Sequence, residues 1–251
     1  MRILLVNDDG FYAEGFEVLR KIAAQLSDDV WCVAPESDQS GQAHSLTLSH
    51  PLRLHQVDEK SFMLRGTPTD CVIMGVRELM PSPPDLILSG VNQGQNAAND
   101  VTYSGTAAGA MEGAILGIRS FALSQRVDWD SDGPIHWETA LSHGPELINK
   151  LLAAKSDADT FININFPNCA ASDVMGTEVV RQGTIDHELG VEKRHDGRGM
   201  DYYWLTFKTG LITSDFPSDA SVLRDNKISV TPMKPDFTDH ESLTKLRDLL
   251  S

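Results

Sequence analysis

The chain has 251 residues, of which 41% are hydrophobic and 23% charged, as in a globular protein. Its formal net charge of −15 opposes non-specific binding to polyanions, so we expect no nucleic-acid polymer as a partner. No apolar run approaches the ~20 residues that cross a membrane, and the apolar run Ile3–Val6 is too short for the core of a signal peptide. We therefore expect no membrane partner.

The first half of the chain alternates short apolar runs with segments of helical periodicity. The predicted strands are Ile3–Val6, Val30–Ala34, Asp85–Ser89, Ser120–Ser124 and Phe161–Phe166, and Leu46–Val57 alternates as in a strand or a hairpin. The predicted helices are a segment from Phe16 to Leu26, one that starts at Thr69-Asp70, Ser104–Gly117 and His136–Lys155, with Gly90–Tyr103 as a loop. Strands separated by helices of this length indicate βαβ units on a mostly parallel sheet, hence an α/β fold.

The pattern changes after Pro167. Gly176–Gly210 is interrupted by glycines and charges and contains the aromatic residues Tyr202, Tyr203, Trp204 and Phe207. This predicts a long β-hairpin or small β appendage, whose aromatics either contact another subunit or are buried within one chain. We expect one domain over residues 1–251, with a β-rich extension at about 176–230.

Cys32, Cys71 and Cys169 lie far apart and show no CxxC spacing. An odd number of widely spaced cysteines argues against a disulfide framework or a zinc knuckle. Free thiols fit a reducing compartment, so we expect a cytoplasmic protein.

Polar residues follow several of the apolar runs, at the sheet edge where α/β proteins bind ligands. Asp8 and Asp9 follow the first strand, a loop with Ser40 follows the second, and Asn92 and Asn96 follow Asp85–Ser89. Gly10 permits the turn that would let both aspartates face one ligand. Oxygen donors of this kind suit Mg²⁺ or Mn²⁺. The alternative to a metal site is that Asp8-Asp9-Gly10 forms a structural turn in which one aspartate caps a helix.

The segment Tyr103–Thr106 begins a helix rich in Ala and Gly. Free N–H groups and the macrodipole make a helix start an anion site, to which the Ser104 and Thr106 hydroxyls could add donors. The GxxxxGK[ST] motif of a P-loop is absent. Ordinary N-capping with tight helix packing would explain the same residues.

Other catalytic patterns are weak. His44 is the only histidine near the predicted rim, and no HExxH spacing occurs. Ser40-Gly41 lacks a GxSxG context, and Gly90–Asn96 does not match GxGxxG, which disfavours an esterase and an NAD enzyme.

The motifs together resemble the SurE family of survival proteins, which are 5′/3′-nucleotidases. Seven blocks carry the resemblance in order: NDDG at 7–10, APESDQSG at 34–41, GTPTDCV at 66–72, SGVNQGQN at 89–96, YSGTAAGAMEG at 103–113, NINFP at 163–167 and ISVTPM at 228–233. The resemblance implies a Rossmann-like three-layer core and a C-terminal β-hairpin exchanged between the subunits of a homodimer or homotetramer. It covers Met1 to about Thr238.

The resemblance also implies a site. One divalent ion per subunit would be bound by Asp8, Asp9, Ser40 and Asn92. The phosphate pocket would be formed by Asn96, Ser104, Gly105 and Thr106. The implied substrates are nucleoside 5′- and 3′-monophosphates, with short polyphosphate in some members. Glu14 stands where the family usually has proline, and Ser218-Asp219 replaces a Thr-Asp pair; neither is a predicted ligand.

We therefore expect metal-assisted hydrolysis of a phosphomonoester, with Asp8 or Asp9 accepting the proton of the attacking water. Two alternatives stay open at this stage. Asp8 could itself attack phosphorus and form an aspartyl-phosphate, although such enzymes usually separate their two aspartates by one residue. The same pocket could instead serve a non-catalytic nucleotide or anion sensor.

Overall fold

The computed structural model describes residues 1–129, 133–155, 157 and 159–250. The strands are β1 (Arg2–Val6), β2 (Asp29–Pro35), β3 (Arg53–Asp58), β4 (Ser61–Arg65), β5 (Leu86–Gln93), β6 (Arg119–Gln125), β7 (Phe161–Phe166), β8 (Thr177–Val179), β9 (Ile185–His195), β10 (Asp201–Ile212) and β11 (Ile228–Met233). The helices are α1 (Glu14–Ala24), α2 (Pro68–Met74), α3 (Gly105–Ile115), α4 (Trp137–Ala153), α5 (Asp219–Arg224) and α6 (His240–Leu250).

Short non-α turns complete the secondary structure. A π-helical turn at Gly75–Leu79 follows α2, and 3₁₀ turns lie at Ala98–Tyr103 and Ala171–Asp173.

Nine strands form one sheet in the order β3-β4-β2-β1-β5-β6-β7-β11-β8. The pairs β4–β2, β2–β1, β1–β5, β5–β6 and β6–β7 are parallel, whereas β3 and β11 pair antiparallel with β4 and β7. The predicted α/β fold with a mostly parallel sheet is confirmed.

Alternation along β1 explains the three layers. Ile3 and Leu5 belong to a core shared with α1 and α4, and Leu4 and Val6 belong to a second core shared with α2. Both faces of the strand are therefore buried, which is why its sequence is a continuous apolar run. The carboxyl ends of the parallel strands meet at one edge, where the polar loops emerge.

Helix α3 packs closely on the sheet because one face of it is glycine. A Cβ on Gly109 would lie 2.8 Å from Ser89 Oγ, and one on Gly113 would lie 2.1 Å from Ser120 Oγ. Gly105, one turn earlier, belongs to the same face. The Ala/Gly richness read from the sequence is thus a packing feature, and it brings the start of α3 down onto β1 and β5.

Two predicted boundaries were wrong. Helix α2 begins at Pro68 instead of at Thr69-Asp70, because Thr67 caps it and exchanges hydrogen bonds with Asp70 in a capping box. The segment Gly90–Tyr103 is not all loop: β5 continues to Gln93 across an irregularity, after which Asn92 pairs with Ser124.

The predicted β extension is a two-stranded hairpin of β9 and β10, separate from the main sheet. Tyr203, Trp204 and Leu205 on β10 are 59%, 57% and 76% exposed. The prediction that these aromatic side chains are buried within one chain is therefore wrong for Tyr203 and Trp204. The side chain of Phe207 lies outside the described residues. Contact with another subunit stays a prediction.

The two departures from the family pattern have local explanations. Glu14 is the exposed first residue of α1, where an acidic side chain interacts favourably with the helix dipole and where proline is also common. Ser218 caps α5 through its hydroxyl, a role that threonine also performs. Within the described residues, no helix is both long and apolar enough to span a membrane.

Asp29, at the start of β2, is a stabilising charge at the opposite edge of the sheet. Its carboxylate accepts from Lys60 Nζ at 2.8 Å, from Arg2 Nε at 2.9 Å and from Trp31 Nε1 at 3.1 Å. The Lys60 hydrogen bond, helped by those of Arg2 and Trp31, lowers the pKa of Asp29 from 3.8 to about 2.

We expect Asp29→Asn to lower the melting temperature slightly at pH 7, because exposed ion pairs contribute little to stability. A depressed folded-state pKa gives stability that is present above pH 3.8 and is lost as the pH falls toward 2. The difference between wild type and variant should therefore shrink over that window in thermal melts. A difference that is constant from pH 7 to pH 2 would contradict the assignment.

Candidate active site

A cleft of about 360 Å³ opens at the carboxyl ends of the parallel strands. Its lining includes five of the eight predicted site residues: Asp8, Ser40, Asn92, Asn96 and Ser104. These residues come from the ends of β1, β2 and β5 and from the start of α3. The predicted convergence of the polar loops on one rim is therefore present in the structure.

Asp8 is the buried centre of this rim, with 3% of its surface exposed. Its Oδ1 accepts a hydrogen bond from the Thr106 hydroxyl at 2.5 Å. Burial raises the pKa of Asp8, and the Thr106 hydrogen bond opposes that shift. The contact places a carboxylate directly against the start of α3.

Gly105 makes this approach possible. A Cβ on Gly105 would lie 2.9 Å from Asp8 Cβ and 3.0 Å from Asp8 Oδ2. Any larger residue would push α3 away from the carboxylate. The predicted phosphate-pocket residues Gly105 and Thr106 thus touch Asp8 and do not line the cleft themselves.

Asp9 is partly buried and lies beside the cleft lining. Its Oδ2 accepts a hydrogen bond from the backbone N–H of Gln93 at 3.1 Å, which ties the β1 loop to the end of β5 next to Asn92. Burial, and then the negative charge of Asp8, raise the pKa of Asp9 from 3.8 to about 7. The two adjacent carboxylates therefore repel each other.

The loop after β2 carries Ser40, which is exposed at the rim. Its hydroxyl donates to Asp38 Oδ1 at 2.6 Å, and the Gln39 N–H donates to the Asp8 carbonyl at 2.8 Å. The first bond orients the Ser40 hydroxyl with its lone pairs available, and the second fixes the loop to the aspartate pair. The sequence places Asp38 in this loop but gave it no role; its position two residues before Ser40, typical of a local side-chain-to-backbone turn, was the available signal.

Asn92 and Asn96 are both fixed by hydrogen bonds. Asn92 Nδ2 donates to the Gly94 carbonyl at 2.8 Å, which leaves Oδ1 as its acceptor. Asn96 donates from Nδ2 to Ser124 Oγ at 2.9 Å and from its N–H to Asn165 Oδ1 at 2.8 Å. Asn163 and Asn165 in turn donate to the Asn96 carbonyl at 2.7 and 3.1 Å. These supporting asparagines belong to the NINFP block and were missed as positioning residues.

The start of α3 has the geometry of an anion site. Ser104 is the N-cap, and its Oγ accepts from the Ala107 N–H at 2.9 Å. The Thr106 N–H hydrogen-bonds to the Asp8 carboxylate, which leaves the Ser104 hydroxyl proton as the donor that faces the cleft. An anion held there would also gain from the helix dipole.

The donor set fits a hard divalent cation. Asp8, Asp9, Ser40 and Asn92 offer only oxygen ligands, and the repulsion between the two carboxylates is what a bound cation relieves. Among the residues that the structure describes, no three His, Cys, Asp or Glu side chains form a candidate metal cluster. The predicted ligands include only two such side chains, Asp8 and Asp9. Metal binding by these four residues therefore stays a prediction.

His44 does not join this rim as a catalytic group. Its Nε2 lies 2.9 Å from Glu112 Oε2 on α3, and His44 lines a second cavity, not the cleft that Asp8 lines. The lining of the cleft also contains residues that the sequence did not indicate: Arg126, Trp129, Ile212 and Arg224.

We next compared the chain with known protein families, with curated proteins and with solved structures. The family described as "Survival protein SurE" matches residues 3–188 of the chain, well over half of it. This chain belongs to the SurE family. The resemblance to this family that the seven sequence blocks indicated is confirmed.

Several SurE relatives match along nearly their whole length. A protein named 5′-nucleotidase SurE from Brucella anthropi is 57% identical over 247 residues, which cover 98% of this chain and 96% of the relative. A protein of the same name from Brucella melitensis biotype 1 is 56% identical, with 98% and 97% covered. The crystal structure of the SurE protein from Aquifex aeolicus superimposes with a TM-score of 0.83 at 35% identity and covers 100% of both chains.

Proposed function

We propose that this protein is a divalent-metal-dependent nucleotidase that hydrolyses nucleoside 5′- and 3′-monophosphates to nucleoside and phosphate. Short polyphosphate is included as a further substrate. The observation that carries the proposal is the contact between Asp8 and Thr106. It joins a pair of metal-type carboxylates to a helix start suited to phosphate, in a chain whose Brucella relatives are named 5′-nucleotidases.

Asp8, Asp9, Ser40 and Asn92 would bind one Mg²⁺ or Mn²⁺ per subunit. When bound, such an ion neutralises a phosphoryl oxygen and lowers the pKa of a water molecule. The Ser104 hydroxyl at the start of α3 would bind a remaining phosphoryl oxygen, and the helix dipole would favour the negative charge there. Asn96, held by Ser124 and Asn165, would orient the phosphate.

We assign acceptance of the water's proton to the Asp8–Asp9 pair. Thr106 holds the Asp8 carboxylate through Oδ1, and the Gln93 N–H holds Asp9 through Oδ2. These bonds orient both carboxylates at the end of β1, beside the Ser104 hydroxyl that would bind the phosphate.

The proposal extends to the assembly, the compartment and the domain organisation of the protein. The exposed face of the β9–β10 hairpin would join two or four copies of the chain into a homodimer or homotetramer. Cys32 and Cys71 are buried free thiols and Cys169 is partly buried, as a cytoplasmic protein permits. We propose one domain over 1–251, with the β extension within it.

The test is release of inorganic phosphate from 5′-AMP and 3′-AMP with Mg²⁺ or Mn²⁺, and then with excess EDTA. We expect release from both nucleotides that stops when the metal is removed. Release that is unchanged in EDTA would overturn the metal requirement. Tight binding of 5′-AMP without release under any of these metals would favour the sensor.

A further inference from the structure

Two solvent-exposed aromatic rings line the cleft. Trp129 is 65% exposed and Tyr103 is 46% exposed. Both line the same cleft as Asp8 and Ser104, the proposed metal and phosphate residues. Leaving a tryptophan ring in water forgoes the burial that usually stabilises this side chain. A large aromatic ring exposed in a concave site is therefore a candidate for ligand contact.

Gly94 fixes where the Trp129 ring lies relative to the metal residues. A Cβ on Gly94 would lie 3.6 Å from Trp129 Cζ2 and 3.8 Å from Asn92 Nδ2. The indole ring and a proposed metal ligand thus flank the same glycine. The Gly94 N–H donates to the Gln125 carbonyl at 2.9 Å, and Gly94 has a φ of +117° that disfavours other residues.

In a nucleoside monophosphate, one ribose separates the phosphate from the base. Trp129 Cζ2 and Asn92 Nδ2 both lie within 4 Å of one point, the position of a Cβ on Gly94, and both line the cleft that Ser104 also lines. A phosphate bound beside Asn92 and Ser104 therefore has an indole ring near enough to meet its base. A base offers a flat π face to an indole ring, which a sugar phosphate does not.

We propose that Trp129 is the platform on which the substrate base stacks, so that the site selects base-bearing phosphomonoesters over sugar phosphates. This inference rests on the proposed function and adds the residue that sets the substrate class. Trp129 contributes binding energy that is equal in the ground state and in the transition state, so its effect is on KM.

The experiment compares two substrates that share one ribose phosphate, 5′-AMP and ribose 5-phosphate. The measured quantity is the ratio of their kcat/KM values with Mn²⁺. We expect Trp129→Ala to lower this ratio about tenfold, through a higher KM for 5′-AMP, because base–aromatic stacking is lost. Trp129→Phe should retain most of the preference. Phe237→Ala, which removes an exposed aromatic ring that does not line this cleft, should leave the ratio unchanged.

An unchanged ratio in Trp129→Ala would overturn the platform, and so would an equal fall in Phe237→Ala. Neither result would touch the nucleotidase proposal, since wild type would still release phosphate. Wild type that released no phosphate from either compound would overturn the nucleotidase instead. The platform would then be decided by calorimetric binding of the same two compounds to wild type and Trp129→Ala.

Discussion

Replacement of Asp8 by Asn is expected to reduce metal-dependent phosphate release from 5′-AMP by about 10³-fold or more. Asp8 is the residue at which the two halves of the site meet, because it belongs to the carboxylate pair and also accepts the Thr106 hydroxyl at 2.5 Å. Asn keeps the shape and one acceptor oxygen but removes the charge. Steady-state kinetics at saturating Mn²⁺ measure the effect.

The melting temperature of Asp8→Asn shows whether a loss of activity comes from unfolding. Burial raises the pKa of Asp8, so its ionised form is disfavoured in the folded state. Metal-free Asp8→Asn should therefore melt at the same temperature as metal-free wild type, or higher. Adding Mn²⁺ should raise the melting temperature of wild type much more than that of the variant. A folded Asp8→Asn protein with wild-type turnover would show that the proposed ligand set is wrong.

Gly15→Ala is expected to lower the free energy of unfolding by about 3 kcal/mol. A Cβ at this position in α1 would lie 1.9 Å from the Val91 carbonyl oxygen and 2.8 Å from Trp137 Cη2. The first clash is with backbone, so no rotamer change relieves it. Alanine's better helix propensity recovers only about 1 kcal/mol.

Urea unfolding of Gly15→Ala should be compared with that of Gly197→Ala. At Gly197 an added Cβ meets no heavy atom within 4 Å, so we expect a change within about 0.5 kcal/mol. Val91 precedes Asn92, so the Gly15 variant should also lose phosphate release under conditions where it is still folded. Wild-type stability in Gly15→Ala would contradict the tight packing of α1 on the end of β5.

The buried strands were predictable because their signal is local. The sequence predicted Ile3–Val6 and Phe161–Phe166, and the structure has Arg2–Val6 and Phe161–Phe166. Both are short apolar runs buried on both faces, which periodicity and length identify without knowledge of the neighbours. The start of α2 was misplaced because Thr67 and Thr69 are both plausible caps, and the Asp70 hydrogen bond decides between them.

The end of β5 was missed for a different reason. Gly90 and Asn92 are typical loop residues, and only the pairing of Asn92 with Ser124 on β6 extends the strand. Strand pairing across the sheet is tertiary information that one strand does not carry. The same limit applies to the asparagines of β7 that position Asn96.

The candidate site divides in the same way. The loops at the strand ends indicated which residues converge, because strand polarity places them on one edge. The bond between Asp8 and Thr106 joins residues 98 positions apart and depends on how closely α3 packs. Gly105 was the one sequence signal for that approach. Trp129 gave none, since a single tryptophan in a polar segment matches no motif.

The central claim, that this rim binds a divalent metal through Asp8, Asp9, Ser40 and Asn92, is tested most directly by crystals grown with Mn²⁺. Anomalous difference density should show one manganese peak per subunit, at bonding distance from oxygen atoms of these four residues. A manganese peak elsewhere, or crystals of active, Mn²⁺-saturated protein without a peak at this rim, would contradict the account.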